Sequence, residues 1–469
     1  MSGANAGLSQ TAVTKFTKHI NGLVMWLAGL IKWPLQWLQH RLPQAWFMVV
    51  LAVLVGLFSG IGAHLLKVFV KWISRWLTHG IDMTGPNWIL IVLPVIGIVL
   101  AGIYQRYVLH RRIEHGTEQL KRDLSKKNYW LSPELLYAPI TATSVTLGFG
   151  GSAGSEGPIA YTGAAIGSNV ARACGLPPRL MMIMIGCGAG AGIAGIFKSP
   201  IGGMLFTLEV MRIELTSFAV MALLVTCIVA ALTAYMLSGG TPDVTFIPAE
   251  QFDMNIVPAV LLLGLFCGLY GYYYSATAKY TRLFLERLTN PWIQNLTSGL
   301  MLGVLVFLFP VLYGEGYGVL GDVINNSHPN LVNSGLFYGA MGHPWLIVAV
   351  VSGILLCKGI AATLTNSGGG VAGDFAPTLF AGCMAGFLFA SVGNHLFGLH
   401  LCTQTFALIG MAATMSAIIK APLMAIFITA EMTWNYEFFL PLVLASVVAY
   451  FTVLMLSSGM RNPFLSSNS

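Results

Sequence analysis

The stretch Gly150–Pro158, GGSAGSEGP, sets one carboxylate among glycines and serines in a chain in which only 9% of residues are charged. Pro158 suits the first turn of a helix, where its missing N–H costs nothing. The residues just before it then offer unpaired N–H groups at the positive end of a helix dipole, a seat for an anion. Glycines let that backbone approach a bound ion closely. Glu156 stands where such an anion would stand. Its carboxylate can block the seat when charged and leave it when protonated. The plainer reading is a carboxylate that only stabilises a helix start.

A second loop, GGGVAGDFAP ending at Pro377, repeats the arrangement. Here Asp374 reads first as a helix cap and second as a pathway residue. Two such helix starts, one from each half of the chain, can hold a small anion through amide dipoles without a full positive charge. Weak, dipolar binding suits conduction because the ion must also leave.

The elements that position these loops follow from composition. The chain has 469 residues, of which 56% are hydrophobic, with a mean hydropathy of +0.75. A soluble domain of this length could not bury so much apolar surface, so the chain is an all-helical, polytopic membrane protein. At that depth an acid is costly and generally functional, which favours the gating reading of Glu156. Apolar stretches at 46–70, 88–108, 218–237 and 256–274 are near the roughly 20 residues of a helical span. Those at 345–357 and 376–390 are shorter and predict broken or re-entrant helices. No signal peptide is apparent in the first twenty residues. Basic residues cluster before the first span (Lys15, Lys18, Lys32, Arg41) and after the second (Arg106, Arg111, Arg112, Lys121, Arg122, Lys126, Lys127). A hairpin of two spans puts both clusters on one side, the cytoplasmic one, with both termini. The net charge of +7 is thereby a matter of topology, and a nucleic-acid partner has no support.

The chain also repeats itself. FKSPIGGMLFTLEVM from Phe197 and IKAPLMAIFITAEMT from Ile419 both open on Lys-x-Pro (Lys198, Lys420) and close on a glutamate (Glu209, Glu431). Each follows a run of small residues, and each of those follows one of the glycine loops. Such repeats, interrupted by Gly and Pro, mark transporters built from two related halves with the site at their interface. The boundaries expected are a 1–43 segment, a first repeat over 44–240, a second over 241–459 and a 460–469 tail. Glu209 and Glu431 recur together, which favours a shared structural role such as capping or pairing. Lys198 and Lys420 read as anchors that snorkel to the interface.

Other chemistries find less support. GGSAG at 150–154 fits the G-x-S-x-G pattern of serine hydrolases, which would make Ser152 a nucleophile, but no histidine partner stands out. Seven cysteines lie in or beside apolar segments without a CxxC pair, as packing residues. No metal-ligand spacing is present, and neither enzyme activity nor a cofactor is expected. A cation-coupled carrier of an organic substrate would use similar broken helices.

GSEGP (Gly154–Pro158), GDFAP (Gly373–Pro377) and the paired segments SPIGGMLFTLEV and APLMAIFITAEMT together resemble the CLC family of chloride channels and chloride/proton antiporters, from about residue 45 onward. The resemblance implies a homodimer of inverted-repeat subunits of broken and re-entrant helices in a bacterial inner membrane, each subunit with its own pore. It implies Glu156 as the gate, and Ser155, Gly157, Asp374, Phe375 and Ala376 around the anion. Ser155 replaces the family's basic residue. The serine and tyrosine that complete the family's inner anion site have no clear counterpart. Thr117 and Phe464 lie nearest to their places. The glutamate that relays protons in coupled members is replaced by Val210, beside Glu209. That departure points to passive, voltage- or pH-gated chloride conduction, with chloride/proton exchange as the alternative.

Overall fold

A computed structural model describes residues 33–80, 87–111, 113, 116–126, 129–213, 216–241, 244, 246, 253–325 and 344–458. Among them, nine helices are long and apolar enough to cross a membrane. In chain order the first half holds α1 (Gln44–Thr78), α2 (Ile89–Ile103), α3 (Gly116–Ser125), α4 (Ala138–Gly148), α5 (Glu156–Ala173), α6 (Pro178–Phe197), α7 (Pro200–Leu205) and α8 (Ser217–Leu237). The second holds α9 (Val257–Glu286), α10 (Pro291–Leu308), α11 (Tyr317–Asn325), α12 (Pro344–Ser367), α13 (Phe375–Phe397), α14 (Thr403–Ile419), α15 (Pro422–Met432) and α16 (Phe439–Ser458). The protein is thus an integral membrane protein built from helices.

Two expected short segments are in fact whole spans. The run at 345–357 is the first part of the 24-residue α12, and the run at 376–390 lies within the 23-residue α13. Both were cut short by polar residues inside the helix, Lys358 and Asn394 among them, and not by breaks. The real interruptions are elsewhere. The six-residue α7 widens into a π-type turn over Phe206–Val210, and α15 has only 11 residues.

The most enclosed spans are α6 and α13, whose most apolar windows are 89% buried, against 33–50% for the other seven. Glycine permits this. A Cβ on Gly163 would lie 2.0 Å from the Gly188 carbonyl oxygen, and one on Gly382 would lie 2.3 Å from that of Gly410. The backbones of α5 and α6, and of α13 and α14, therefore touch directly, as small residues allow inside a bilayer. Gly163 and Gly382 each lie five residues after the loop proline, and Gly188 and Gly410 each ten before the repeated lysine. The repeat is a repeat of contacts as well as of letters.

Where the halves meet, bonds are exchanged in pairs. Gly154 N–H donates to Gly373 O at 2.8 Å and Gly373 N–H to Gly154 O at 2.6 Å. Thr365 Oγ1 accepts from Ser152 N–H at 3.0 Å, and Thr146 Oγ1 from Val371 N–H at 3.1 Å. These equivalences pair Glu156 with Phe375, Gly157 with Ala376 and Pro158 with Pro377. Glu209 accepts from the N–H groups of Leu423 and Met424 at the start of α15, at 3.2 and 2.8 Å. Glu431 accepts from Ile201 and Gly202 at the start of α7, at 3.2 and 3.0 Å. First-turn amides have no intrahelical acceptor and, in a membrane, no water.

Lys198 and Lys420 end α6 and α14 in the left-handed conformation, with φ of 54° and 62°. Lys198 is 7% exposed, and its amine donates to the carbonyl of Thr241 in the exposed stretch that follows α8. Five of the seven cysteines are buried and all are unpaired.

Candidate functional site

The two glycine loops pair at Gly154 and Gly373, and this brings the starts of α5 and α13 together. Glu156, the first residue of α5, is fully buried in the seam. Its Oε2 faces the Ala376 N–H at 3.4 Å, and its Oε1 accepts from the Tyr317 hydroxyl at 2.7 Å. The carboxylate folds back over Gly154, where an added Cβ would lie 1.9 Å from Oε2. The glutamate of one half thus occupies a free amide at the helix start of the other. That is what an anion would do there.

The other expected residues fall as follows. Gly157 and Ala376 are buried in the two first turns, and Phe375, also buried, packs edge-on against Phe206 at 5.8 Å between ring centroids. Asp374 makes no capping bond to α13. Its Oδ1 accepts from Asn366 at 2.6 Å, so the capping expectation is replaced by a side-chain pair. Ser155 turns both its N–H and its hydroxyl to the Glu315 carboxylate, the N–H at 3.1 Å. Thr117 lies in the first turn of α3. Phe464 lies outside the described residues. Val210 is buried at the end of the turn after α7, and the neighbouring Glu209 has both oxygens engaged by α15.

Four residues of the site escaped the sequence reading. Lys358, 1% exposed, donates to Ser152 Oγ at 2.9 Å and sits 4.6 Å from the centre of the Phe380 ring. A lysine side chain does stand beside the loops, which the expectation of amide dipoles alone did not include. The available signal was a lone lysine inside a long apolar helix, since intramembrane charge is functional by default. Ser152 is spanned by this lysine and by Thr365. Glu315 comes from the turn before α11 and Tyr317 is that helix's first residue, and Lys67 of α1 lies 5.6 Å from the Tyr317 ring while donating to Ile196 O. Nothing in their local sequence marks these three.

The comparisons with known proteins agree with this geometry. Residues 96–454 match the family model described as voltage gated chloride channel. The chain belongs to that family. It is 26% identical over 420 residues to the voltage-gated ClC-type chloride channel ClcB of Salmonella typhimurium, covering 86% of this chain and 94% of that protein. It is also 26% identical over 422 residues to the H(+)/Cl(-) exchange transporter ClcA of Vibrio cholerae, covering 85% and 84%. Among solved structures, that of a slow cyanobacterial Cl-/H+ antiporter superposes with a TM-score of 0.73 at 23% identity, covering 88% of this chain and 95% of that one. The fold is therefore the CLC inverted repeat of broken helices.

Proposed function

We propose that the protein carries chloride or a similar small anion across a bacterial inner membrane by passive conduction, through a path that the Glu156 carboxylate closes. The observation that carries this reading is the seat of that carboxylate: on the Ala376 N–H, between two helix starts, with Lys358 beside them. When Glu156 takes up a proton from water it loses the charge that holds it to the amide, and a chloride ion takes its place. Lys358 supplies a counter-charge when it is protonated, and the amides of Gly157, Phe375 and Ala376 supply donors that bind without holding the ion for long.

Passive conduction is favoured over exchange by the other end of the path. Val210 has no proton to give, and Glu209 beside it is held by two amides of α15. The family's usual assembly, a dimer with one path per subunit and both termini in the cytoplasm, belongs to the same reading. The test is chloride efflux from liposomes of purified protein, with external pH recorded at the same time. Chloride movement without linked proton movement, rising as external pH falls and made less pH-dependent by Glu156→Gln, is the expected result. Uphill proton movement driven by a chloride gradient would make the protein an exchanger instead.

A further inference from the structure

Glu315 stands in the connection between α10 and α11, directly before Gly316, whose φ is +82°. Its Oε1 accepts from the Ser155 N–H at 3.1 Å and from the Ser155 hydroxyl, while Tyr317, two residues on, donates to Glu156 at 2.7 Å. One three-residue segment therefore grips two consecutive residues at the start of α5. The short connection is itself pinned. Tyr313 donates to Gly148 O at 2.8 Å, and a Cβ on Gly316 would strike the Phe380 ring. The Ser155 N–H is among the amides that a helix start leaves without an intrahelical acceptor. Glu315 does to that donor what Glu156 does to the Ala376 N–H.

We propose that Glu315 is a second gating carboxylate, in series with Glu156, which occupies the Ser155 donors and must be neutralised or displaced before the start of α5 can take an anion. This rests on the reading of Glu156 as a gate. Two acids covering adjacent donors repel each other when both are charged, so the first proton is taken up readily and the carboxylate still charged then holds its donors more firmly, which is why both must be neutralised. Because Glu315 and Tyr317 flank a single glycine, release of Ser155 also loosens the Tyr317 grip on Glu156. Other titratable or charged groups on the elements that meet here include Lys67 and, a turn earlier, His64 on α1, Lys358 on α12, Asp374 before α13, Tyr313 and Tyr317 in the segment itself, and Asp322 on α11.

The test compares chloride efflux against external pH for the wild type, Glu156→Gln, Glu315→Gln and the double variant in liposomes. Glu156→Gln is expected to conduct at neutral pH yet still rise at least three-fold on acidification, and the double variant to be pH-independent and fastest. A Glu156→Gln protein already as fast and as flat as the double variant would overturn the proposal. So would His64→Gln abolishing the residual pH dependence of Glu156→Gln. If Glu156→Gln keeps the full wild-type pH profile and Glu315→Gln removes it, Glu315 remains a gate and the reading of Glu156 fails. Ser155→Ala in the Glu156→Gln background provides a second route should Glu315→Gln not fold. Loss of the hydroxyl donor should raise neutral-pH flux about two-fold, and unchanged flux counts against the proposal.

Discussion

Glu209 and Glu431 each cap a helix that belongs to the other half of the chain. Glu209 receives two N–H groups of α15, and Glu431 receives two N–H groups of α7 together with the Ser199 hydroxyl. The exchange ties the halves together, and it works only if both are folded.

Replacing Glu431 by alanine leaves two amides and a hydroxyl without their acceptor. Leaving a buried donor unpaired costs about 1–3 kcal/mol, so Glu431→Ala should lower the thermal midpoint in detergent by several degrees. Glu431→Gln, which keeps one acceptor oxygen, should lower it less. A midpoint unchanged in both variants would show that the caps contribute nothing. Glu209→Gln should leave chloride efflux free of linked proton movement, as in the wild type, because a carboxylate occupied by helix amides is a poor carrier.

Tyr317→Phe removes the only side-chain hydroxyl that donates to Glu156 among the described bonds. A bond to a charged group contributes about 1.5–3 kcal/mol, so the closed state loses that much of its advantage. Chloride efflux at fixed neutral pH should rise about 10- to 150-fold. Equal efflux would mean that the amide seat alone holds the gate shut.

A methyl group at Gly154 would fall 1.9 Å from Glu156 Oε2, far inside contact distance. Gly154→Ala should therefore expel the carboxylate and give efflux that responds less to pH than the wild type. Efflux that keeps its wild-type pH response in a folded Gly154→Ala protein would mean that the carboxylate does not close the path from this position.

Lys358 is hydrogen-bonded to the first glycine loop through Ser152. Lys358→Met preserves length and apolar packing against Phe380 while deleting the charge. Chloride flux should fall about ten-fold, equivalent to about 1.4 kcal/mol, and Lys358→Arg should retain more of it than Lys358→Met. A Lys358→Met variant with wild-type flux would assign the lysine to packing.

The glycine loops, their prolines, Glu156 and the Lys-x-Pro repeats were all legible in the sequence, because each is a local signal. Proline and glycine declare a helix start through backbone geometry alone, and hydropathy declares the solvent around it. The same locality misled at α12 and α13, where polar side chains inside the helix, Lys358 of the seam and Asn394 bonded to Leu401, were read as ends of spans. What only the tertiary structure decided is which side chains surround the gate. Tyr317 lies 161 residues from Glu156, Glu315 lies 160 from Ser155 and Lys358 lies 206 from Ser152. No periodicity or propensity encodes such separations. They arise when the two halves dock and bury donors and acceptors that, in a bilayer, have only each other for partners.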